Sequence, residues 1–303
     1  MEKSKLYELF KDKSFGDILF DEPMKNHTSF KIGGPADVMI IAKKEEDIIE
    51  AIKFCRTKEI KHFVMGNGTN LLVKDAGIRG VVIKIANGFD NIAIDGNKVV
   101  CESGALLSEV SKKVMRSSLT GFEFASGIPG TIGGAITMNA GAYGGEMKDV
   151  VARVKVLDKN GDVVELTNEE MDFRYRGSRV VDEGLVVLGV ALELEEGDLS
   201  EIEEKMKDLT QRRVSKQPLE LPSGGSTFKR PEGHFAGKLI DDAGLRGLRY
   251  GDAQVSEKHC GFIVNRGEAT FEEVFTLIKT VQKIVYDKFG IMLEPEIKII
   301  GDD

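Results

Sequence analysis

The feature that most constrains this chain is a glycine-rich segment at residues 125–144, with the sequence ASGIPGTIGGAITMNAGAYG. Glycine leaves the backbone bare, so that consecutive N–H groups can converge on an anion such as a phosphate. The spacing matches neither GxGxxG after a strand nor GxxxxGK[ST], which disfavours a Rossmann site and a P-loop. The segment predicts an anion-binding loop of another kind, with a purely structural turn as the alternative.

Two shorter glycine loops precede this segment. Residues 66–73 read GNGTNLLV directly after a predicted strand, and residues 31–35 read KIGGP. Each loop alone is equally typical of an ordinary tight turn. Three such loops in the first half of the chain suggest a long ligand that contains a diphosphate, and a dinucleotide fits that description.

Composition excludes several classes of protein. Of 303 residues, 41% are hydrophobic and 30% are charged, which allows a packed core and excludes general disorder. The net charge of -8 argues against a nucleic-acid-binding or anionic-membrane-binding surface. No signal-peptide pattern or membrane-span pattern is evident, so we expect a cytoplasmic protein. The absence of a coiled-coil repeat favours a monomer.

The cysteines and histidines indicate neither a disulfide framework nor a metal site. Cys55, Cys101 and Cys260 are far apart and form no CxxC pair, and the four histidines show no metal-ligand spacing. We therefore expect the three cysteines to be buried thiols that pack as small hydrophobic side chains.

Hydrophobic periodicity predicts a mixed α+β fold. Helices are predicted over residues 1–20, 45–58, 106–119, 198–216, 235–243 and 270–288. Strands are predicted over residues 38–42, 63–65, 80–85, 92–94, 99–102, 153–157, 163–166, 186–194, 260–264 and 292–300. A charged helix followed by a segment with proline and glycine predicts a boundary between a domain at residues 1–200 and another at 201–303.

Three further segments carry candidate chemical groups. Residues 173–179, FRYRGSR, offer planar guanidinium donors for a carboxylate or phosphate, unless they form a solvated basic face. Residues 222–231, PSGGSTFKRP, contain Ser226 outside any GxSxG elbow, so a hydrolase triad is disfavoured and a turn serine is the simpler alternative. In a strand over residues 292–300, Glu294 and Glu296 would share a face, either beside a site or as two exposed acids on an edge strand.

Taken in order, seven segments resemble the UDP-N-acetylenolpyruvoylglucosamine reductase family of bacterial peptidoglycan synthesis. They are NHTSFKIGGPAD, GNGTNLLV, ASGIPGTIGGAITMNAGAYG, YRGS, PSGGSTFKRP, AGKLIDDAGLRGLRYGDAQVSEKHCGFIVN and LEPEIKIIG. The resemblance extends over residues 20–301, and the short interval between Arg176 and Ser226 resembles the shorter subclass. No residue of this chain is matched to the tyrosine that closes over the substrate in the longer subclass.

The resemblance implies a fold and a reaction. The fold would be a FAD-binding module of the vanillyl-alcohol-oxidase/PCMH type with two subdomains, at about residues 1–85 and 86–200, followed by an α+β substrate-binding domain. The reaction would use non-covalent FAD and NADPH to reduce UDP-N-acetylglucosamine enolpyruvate to UDP-N-acetylmuramate. Hydride would pass from NADPH to FAD and then to the methylene carbon of the enolpyruvyl ether.

The resemblance also implies residue roles. Arg176 and Glu296 would bind and polarise the substrate carboxylate, and Ser226 would protonate the neighbouring carbon. An ionised Glu296 would repel that carboxylate, so it is expected to be protonated in the reactive state. The substrate-binding residues would be Lys229, Arg230, Gln254 and Asn265. The FAD-binding residues would be Gly33, Gly34, Gly66, Asn67, Gly68, Thr69, Asn70, Ser126, Gly127, Gly130, Thr131, Gly133, Gly134, Ala140 and Gly141.

Two alternatives remain at this stage. One is another FAD-dependent oxidase of the same fold, which would reduce oxygen and have no use for the set Ser226, Lys229 and Glu296. The other is a nucleotide-binding regulator without catalysis, although the presence of Arg176, Ser226 and Glu296 speaks against it.

Overall fold

A computed structural model describes residues 2–303. Its α-helices are α1 (Lys3–Phe10), α2 (Glu45–Thr57), α3 (Leu107–Arg116), α4 (Ile132–Thr137), α5 (Arg179–Glu183), α6 (Leu199–Lys216), α7 (Ala236–Asp242) and α8 (Phe271–Phe289). The strands of the first half are β1 (Asp17–Pro23), β2 (Pro35–Ala42), β3 (His62–Met65), β4 (Leu71–Val73), β5 (Ile78–Ile85), β6 (Ile92–Asp95), β7 (Lys98–Glu102), β8 (Leu119–Thr120), β9 (Gly141–Ala142) and β10 (Gly145–Glu146). The remaining strands are β11 (Val151–Leu157), β12 (Val163–Thr167), β13 (Val186–Glu193), β14 (Glu195–Glu196), β15 (Arg249–Tyr250), β16 (Ala253–Val255), β17 (Ile263–Asn265) and β18 (Lys298–Ile300).

The described residues form two compact units. One comprises residues 2–19, 38–67 and 81–213, and the other comprises residues 20–37, 68–80 and 214–303. The predicted domains 1–200 and 201–303 are continuous in sequence, whereas these units are not. Segments 20–37 and 68–80 belong with the C-terminal region because Phe30, Ile32 and Leu72 share its hydrophobic core.

The first unit contains two hydrophobic cores. In one, α2 packs its buried residues Ile48, Ile52 and Cys55 against a four-stranded sheet of order β1-β2-β5-β3. Their spacing of four and three residues places them on one helix face. In the other, α3 and α4 share a core with a five-stranded antiparallel sheet of order β12-β11-β13-β7-β6. This second core supports the glycine-rich segment.

The second unit is organised around α8, which buries one helical face in the core. Thr270 and Glu273 form a capping box at its N-terminus, and Gly290 ends it with a φ of +69°. A three-stranded sheet of order β15-β16-β17 packs in this unit, and β18 pairs with β4 in parallel. Parallel pairing of β18 with β4 ties the end of the chain to segment 68–80.

The α+β class is confirmed, and most predicted elements are present with small shifts at their ends. Three predictions were wrong in extent. The first helix covers only Lys3–Phe10, because Asp17–Pro23 forms β1. The strand predicted over 260–264 is Ile263–Asn265, and the strand predicted over 292–300 is only Lys298–Ile300. The face-sharing of Glu294 and Glu296 in a regular strand therefore does not occur.

The cysteines behave as predicted. Cys55, Cys101 and Cys260 are all buried and unpaired. Burial raises the thiol pKa of Cys55 and Cys101 to about 12 and that of Cys260 to about 11, so none is a thiolate at neutral pH. Residues 2–303 contain no group of side chains suited to hold a metal ion. Among these residues, no helix is both long and apolar enough to cross a membrane.

Candidate active site

In the first unit, glycine lets three chain segments pack closely. A Cβ at Gly66, after β3, would lie 2.3 Å from Oγ1 of Thr131, and one at Gly133 would lie 2.8 Å from Cβ of Ser103. Thr131 caps α4, where its Oγ1 accepts a hydrogen bond from the N–H of Gly134 at 3.4 Å. The end of β3, the turn after β7 and the start of α4 therefore meet through bare backbone.

The hydroxyl of Ser103, in this cluster, is available to form a hydrogen bond with a ligand. Its side chain is buried, and its Oγ has no hydrogen-bond partner within residues 2–303. A buried hydroxyl without a partner costs about 1–3 kcal/mol, which a polar ligand would recover. The N–H groups of Ile132 and Gly133, by contrast, donate to the carbonyls of Ala105 and Ser103 at 2.8 and 2.9 Å. At Gly133, the backbone thus serves packing, and its contact to a cofactor stays a prediction.

The turn before α4 is also shaped by glycine. Gly130 has a φ of +118° and accepts a hydrogen bond from the N–H of Leu107 at 3.1 Å. Gly127 lies under the side chain of Arg213, because a Cβ there would be 2.9 Å from Cδ of that arginine. Ser126 and Gly127 are both only partly buried, so backbone and a hydroxyl of this turn are accessible, and their contact to a cofactor stays a prediction.

A short hairpin follows α4. Strands β9 and β10 are joined by Tyr143 and Gly144, with φ values of +54° and +94°, the pattern of a type I′ turn. Strand β10 leaves no room for a side chain at Gly141, because a Cβ there would lie 2.6 Å from a carbonyl oxygen of β10. The N–H of Met147 donates to the carbonyl of Ala140 at 3.0 Å and closes the hairpin.

Asn139 joins this hairpin to the arginine-rich turn. It is fully buried, and its Nδ2 donates to Oε2 of Glu146 at 2.6 Å and to the carbonyl of Arg174 at 3.2 Å. Its Oδ1 accepts a hydrogen bond from the N–H of Lys148 at 3.0 Å. One side chain thus links the hairpin to the turn that carries Arg176.

Arg176 occupies a strained position. The backbones of Arg174 and Gly177 exchange hydrogen bonds of 3.0 and 3.2 Å, so Tyr175 and Arg176 form the tip of a tight turn. Arg176 has a φ of +56°, which costs an L-residue roughly 1–2 kcal/mol. Its Nη2 donates a long hydrogen bond of 3.5 Å to the carbonyl of Gly141. Strain of this kind concentrates at functional sites.

In the second unit, Gly33 and Gly34 serve close packing. A Cβ at Gly34 would lie 2.0 Å from the carbonyl oxygen of Asp75, and one at Gly33 would lie 2.7 Å from Cβ of Val73. Gly33 also has a φ of +135°, which favours glycine. Packing accounts for both glycines, and their contact to a cofactor stays a prediction.

The loop after β3 contains Asn70, which forms a hydrogen bond to a residue near the C-terminus. Asn67, Thr69 and Asn70 are partly buried, and Gly68 has a φ of +63°. Within the second unit, Nδ2 of Asn70 donates to the carbonyl of Glu296 at 3.2 Å. Asn70, which the sequence associates with the cofactor, therefore also positions a predicted catalytic residue.

Ser226 and Glu296 are brought together by Thr227. This threonine is fully buried; its N–H donates to the carbonyl of Gly261 at 2.8 Å, and its Oγ1 accepts from the N–H of Ile263 at 2.9 Å. Its carbonyl accepts from the N–H of Glu296 at 2.8 Å. The backbone of Thr227, the residue after Ser226, is therefore hydrogen-bonded to the backbone of Glu296. The side chains of Ser226 and Glu296 are both only partly buried.

The predicted substrate cations lie on the same strand-like segment. The N–H of Lys229 donates to the carbonyl of Glu294 at 2.8 Å, and its Nζ pairs with Oε2 of that residue at 3.1 Å. The Arg230 guanidinium lies 4.0 Å from the ring centroid of Phe235. Exposed pairs of this kind are weak and open readily for an anionic ligand.

Gln254 and Asn265 are both engaged inside the protein. Nε2 of Gln254 donates to the carbonyl of Gly247 at 3.1 Å. Nδ2 of Asn265 donates to the carbonyl of Phe30 at 3.1 Å, and its Oδ1 accepts from two backbone N–H groups at 3.0 Å. These bonds hold loops of the second unit, and substrate contacts for the two residues stay predictions.

Sequence reasoning missed four residues that shape the site. Asn139 stands inside the glycine-rich segment and Thr227 stands beside Ser226, so position alone could have singled them out. Ser103 and Arg213 gave no signal, because their importance comes from burial that only the fold creates.

Comparison with known proteins decides the family. Residues 36–167 match the family described as FAD binding domain, and residues 217–300 match "UDP-N-acetylenolpyruvoylglucosamine reductase, C-terminal domain". A UDP-N-acetylenolpyruvoylglucosamine reductase of Alkaliphilus oremlandii is 56% identical over 286 residues, covering 94% of each chain. The chain belongs to the UDP-N-acetylenolpyruvoylglucosamine reductase family.

Further relatives of the reductase family agree. The reductase of Caldanaerobacter subterraneus subsp. tengcongensis is 54% identical over 298 residues, covering 98% of this chain and 97% of that one. The crystal structure of the reductase from Thermus caldophilus has a TM-score of 0.81 at 35% identity, covering 93% of this chain and 98% of that one. The predicted family, the fold class and the identification as an oxidoreductase of peptidoglycan synthesis are confirmed.

The structure is also consistent with the cofactor of a flavoprotein reductase. FAD carries a diphosphate and polar ring edges. The first unit offers an unpartnered buried hydroxyl at Ser103, next to Gly133, and glycine turns at Gly66 and Gly130. These residues lie in or beside segments of the matched FAD-binding domain. FAD as the cofactor of this reductase is confirmed by the family, and the donor set fits it.

Proposed function

We propose that this chain reduces UDP-N-acetylglucosamine enolpyruvate to UDP-N-acetylmuramate, with NADPH as the reductant and non-covalent FAD. The observation that carries the proposal is the 2.8 Å hydrogen bond from the N–H of Glu296 to the carbonyl of Thr227. It holds the backbone of Glu296 against that of Thr227, the residue after Ser226, in a reductase whose predicted catalytic set, Arg176, Ser226 and Glu296, is complete.

When bound, FAD supplies the redox chemistry of the reaction, accepting hydride from NADPH and giving it to the methylene carbon of the enolpyruvyl ether. Residues Gly66, Ser126, Gly130 and Thr131 would hold it, with Ser103 as an additional polar contact. These residues contribute backbone and hydroxyl groups without bulky side chains, which suits a close approach to a diphosphate.

Ser226 would donate the proton. Addition of hydride to the methylene carbon of the substrate leaves negative charge on the carbon that bears the ether oxygen and the carboxylate. A serine hydroxyl is a weak acid, and it can protonate only a strong base such as this carbon. The alkoxide left on Ser226 would recover its proton from solvent.

Arg176 and Glu296 would act at the substrate carboxylate. A guanidinium offers two parallel N–H donors to a carboxylate, so Arg176 would orient it and stabilise the charge that spreads into it. A protonated Glu296 would donate a hydrogen bond to the same group. The strained backbone at Arg176 supports this role, because a turn that only reverses the chain has no need of an arginine at a positive φ.

Lys229 and Arg230 would bind the diphosphate of the nucleotide sugar. Opening the exposed pair between Lys229 and Glu294 costs little, about 0–1 kcal/mol, and a diphosphate provides a stronger partner. We further propose that the chain works in the cytoplasm as a monomer.

Product analysis tests the proposal. Purified protein would be incubated with NADPH and UDP-N-acetylglucosamine enolpyruvate, and the nucleotide sugar would be examined by mass spectrometry. We expect a product heavier than the substrate by two hydrogens, formed in step with NADPH oxidation. UDP-N-acetylglucosamine, which lacks the enolpyruvyl group, is the matched control and should stimulate no oxidation. NADPH oxidation that depends on oxygen alone would indicate an oxidase, and no oxidation would indicate a binding protein without catalysis.

A further inference from the structure

Arg213 is a mostly buried cation without a counter-ion among residues 2–303. It lies in the last turn of α6, with its side chain over Gly127 and mostly shielded from solvent. The neighbouring Arg212 pairs with Asp208 at 2.8 Å on the exposed face of the helix. Within residues 2–303, Arg213 has neither an ion pair nor a hydrogen bond, and Tyr143 is its one electrostatic partner.

This arrangement is unfavourable without a ligand. Burial lowers the pKa of Arg213, and the phenol of Tyr143 opposes that shift only in part. Buried guanidinium groups are almost always paired, because a desolvated charge without a partner costs several kcal/mol. The guanidinium of Arg213 is therefore suited to pair with an anionic group of a bound ligand, because no carboxylate in the part of the chain that the structure describes pairs with it.

The surroundings of Arg213 indicate which anion this is. Gly127 lies in the turn before α4, inside the matched FAD-binding domain. Tyr143 forms the tip of the β9–β10 hairpin with a positive φ, and Arg176 contacts the same hairpin at Gly141. Arg213 thus approaches the glycine-rich segment from α6, in the unit that carries that domain.

We propose that Arg213 binds an anionic oxygen of FAD, and that Gly127 is glycine so that the arginine side chain can lie against the turn. The proposal rests on FAD as the cofactor. Two parts of FAD offer such an oxygen, the diphosphate and the pyrimidine edge of the flavin ring, which gains negative charge on reduction. Arg213 would stabilise the first in both oxidation states and the second mainly in the reduced state.

The test compares Arg213→Met with Arg212→Met. Methionine keeps most of the length and apolar volume of arginine without its charge, and Arg212 is the exposed neighbour on the same helix. FAD release from the holoenzyme would be followed by flavin fluorescence on serial dilution, and the midpoint potential would be measured by spectroelectrochemistry. Neither readout depends on substrate turnover.

We expect Arg213→Met to weaken FAD binding by about 10- to 100-fold, the usual value of a charged hydrogen bond, while Arg212→Met matches the unmodified protein. Weaker binding of oxidised FAD identifies the diphosphate as the partner. Unchanged binding of oxidised FAD with a lower midpoint potential identifies the flavin ring, and a tenfold loss confined to the reduced form equals a fall of about 30 mV. Unchanged affinity and potential would overturn the proposal.

If Arg213→Met does not fold, Gly127→Ala provides a second test of whether Arg213 binds FAD. The added Cβ would lie 2.9 Å from Cδ of Arg213, so the arginine must move while its charge is retained. The same loss of FAD affinity or potential is expected, and unchanged values would overturn the role of Arg213. If the unmodified protein binds no FAD, the proposed function fails instead, and the two failures are thus distinguishable.

Discussion

Arg176 and Ser226 are each presented by a short loop, but the two loops are built differently. Arg176 lies at the tip of a turn in a strained conformation, and the buried side chain of Asn139 donates a hydrogen bond to the carbonyl of Arg174 in that turn. Ser226 precedes Thr227, whose backbone and hydroxyl form hydrogen bonds to Gly261 and Ile263 in one segment and to Glu296 in another. The first loop stores strain, whereas the second is aligned by ordinary backbone hydrogen bonds.

The difference corresponds to the proposed tasks. A group that binds and orients a carboxylate benefits from one fixed geometry, which a strained turn can impose at a cost in stability. A proton donor and a glutamate that act on one substrate need a defined spacing, and the hydrogen bond between Thr227 and Glu296 fixes the backbone spacing of the two segments that carry them. Substitutions in the two loops should therefore differ in how they divide their effects between activity and stability.

Ser226→Ala should have the largest effect. Loss of the proton donor should slow reoxidation of the reduced flavin by UDP-N-acetylglucosamine enolpyruvate by about 10²–10⁴-fold, the usual contribution of a general acid. Reduction of the flavin by NADPH should be unaffected. Stopped-flow absorbance resolves the two half-reactions, and Ser223→Ala, in the same segment, is the control. Normal reoxidation in Ser226→Ala would remove this residue from the mechanism.

Arg176→Gly should separate activity from stability. Removing the guanidinium should lower kcat/KM by about 10²–10³-fold, as when one donor to a developing charge is lost. Glycine accepts the positive φ, so thermal stability should stay equal or rise by about 1 kcal/mol. Steady-state kinetics and thermal unfolding of the holoenzyme measure both. A variant that is active, or that is clearly destabilised, would contradict the interpretation that Arg176 binds the substrate from a strained backbone conformation.

Asn139→Ala should lower stability and activity together. It removes the three hydrogen bonds that the buried Asn139 side chain makes to Glu146, Arg174 and Lys148, at a cost of about 2–3 kcal/mol. Chemical denaturation measures the loss, and Asn160→Ala, at an exposed turn, is the control. If Asn139→Ala is as stable as the control, the hairpin does not depend on this anchor.

Thr227→Val should lower stability less than Asn139→Ala does. It keeps the shape of the side chain and leaves one buried N–H, that of Ile263, without an acceptor, at a cost of about 1–2 kcal/mol. Thr227→Ser retains the hydroxyl and should lose less. Denaturation curves of the pair test this order, and a larger loss in Thr227→Ser than in Thr227→Val would show that the methyl group and not the hydroxyl holds the segment.

The sequence was sufficient for much of the fold because its long elements have strong periodicity. The buried face of α8 and the alternation in β11 were readable directly, and the predicted family supplied the cofactor. The predicted extent of the final strand, residues 292–300, was wrong for a physical reason. Residues 292–297 pack through isolated backbone bonds, such as the one at Thr227, that leave no repeating ladder.

The glycine loops show where sequence reasoning about the site ends. Gly33 and Gly34 have the same appearance in the sequence as Gly66 and Gly127, yet backbone atoms 2.0 Å from an added Cβ explain Gly34 without any ligand. Ser103 and Arg213 look ordinary in sequence, and only burial without partners distinguishes them. Motif position identifies a loop, whereas the contacts that explain each glycine and the unsatisfied polar groups become visible only in the folded chain.

An anaerobic redox cycle tests the proposed reaction most directly. One equivalent of NADPH would be added to the purified protein, followed by one equivalent of UDP-N-acetylglucosamine enolpyruvate, while the visible absorbance of the flavin is recorded. We predict complete bleaching in the first step and complete recovery in the second, with no recovery on addition of UDP-N-acetylglucosamine. A flavin that stays reduced until air is admitted would contradict the proposed reductase activity.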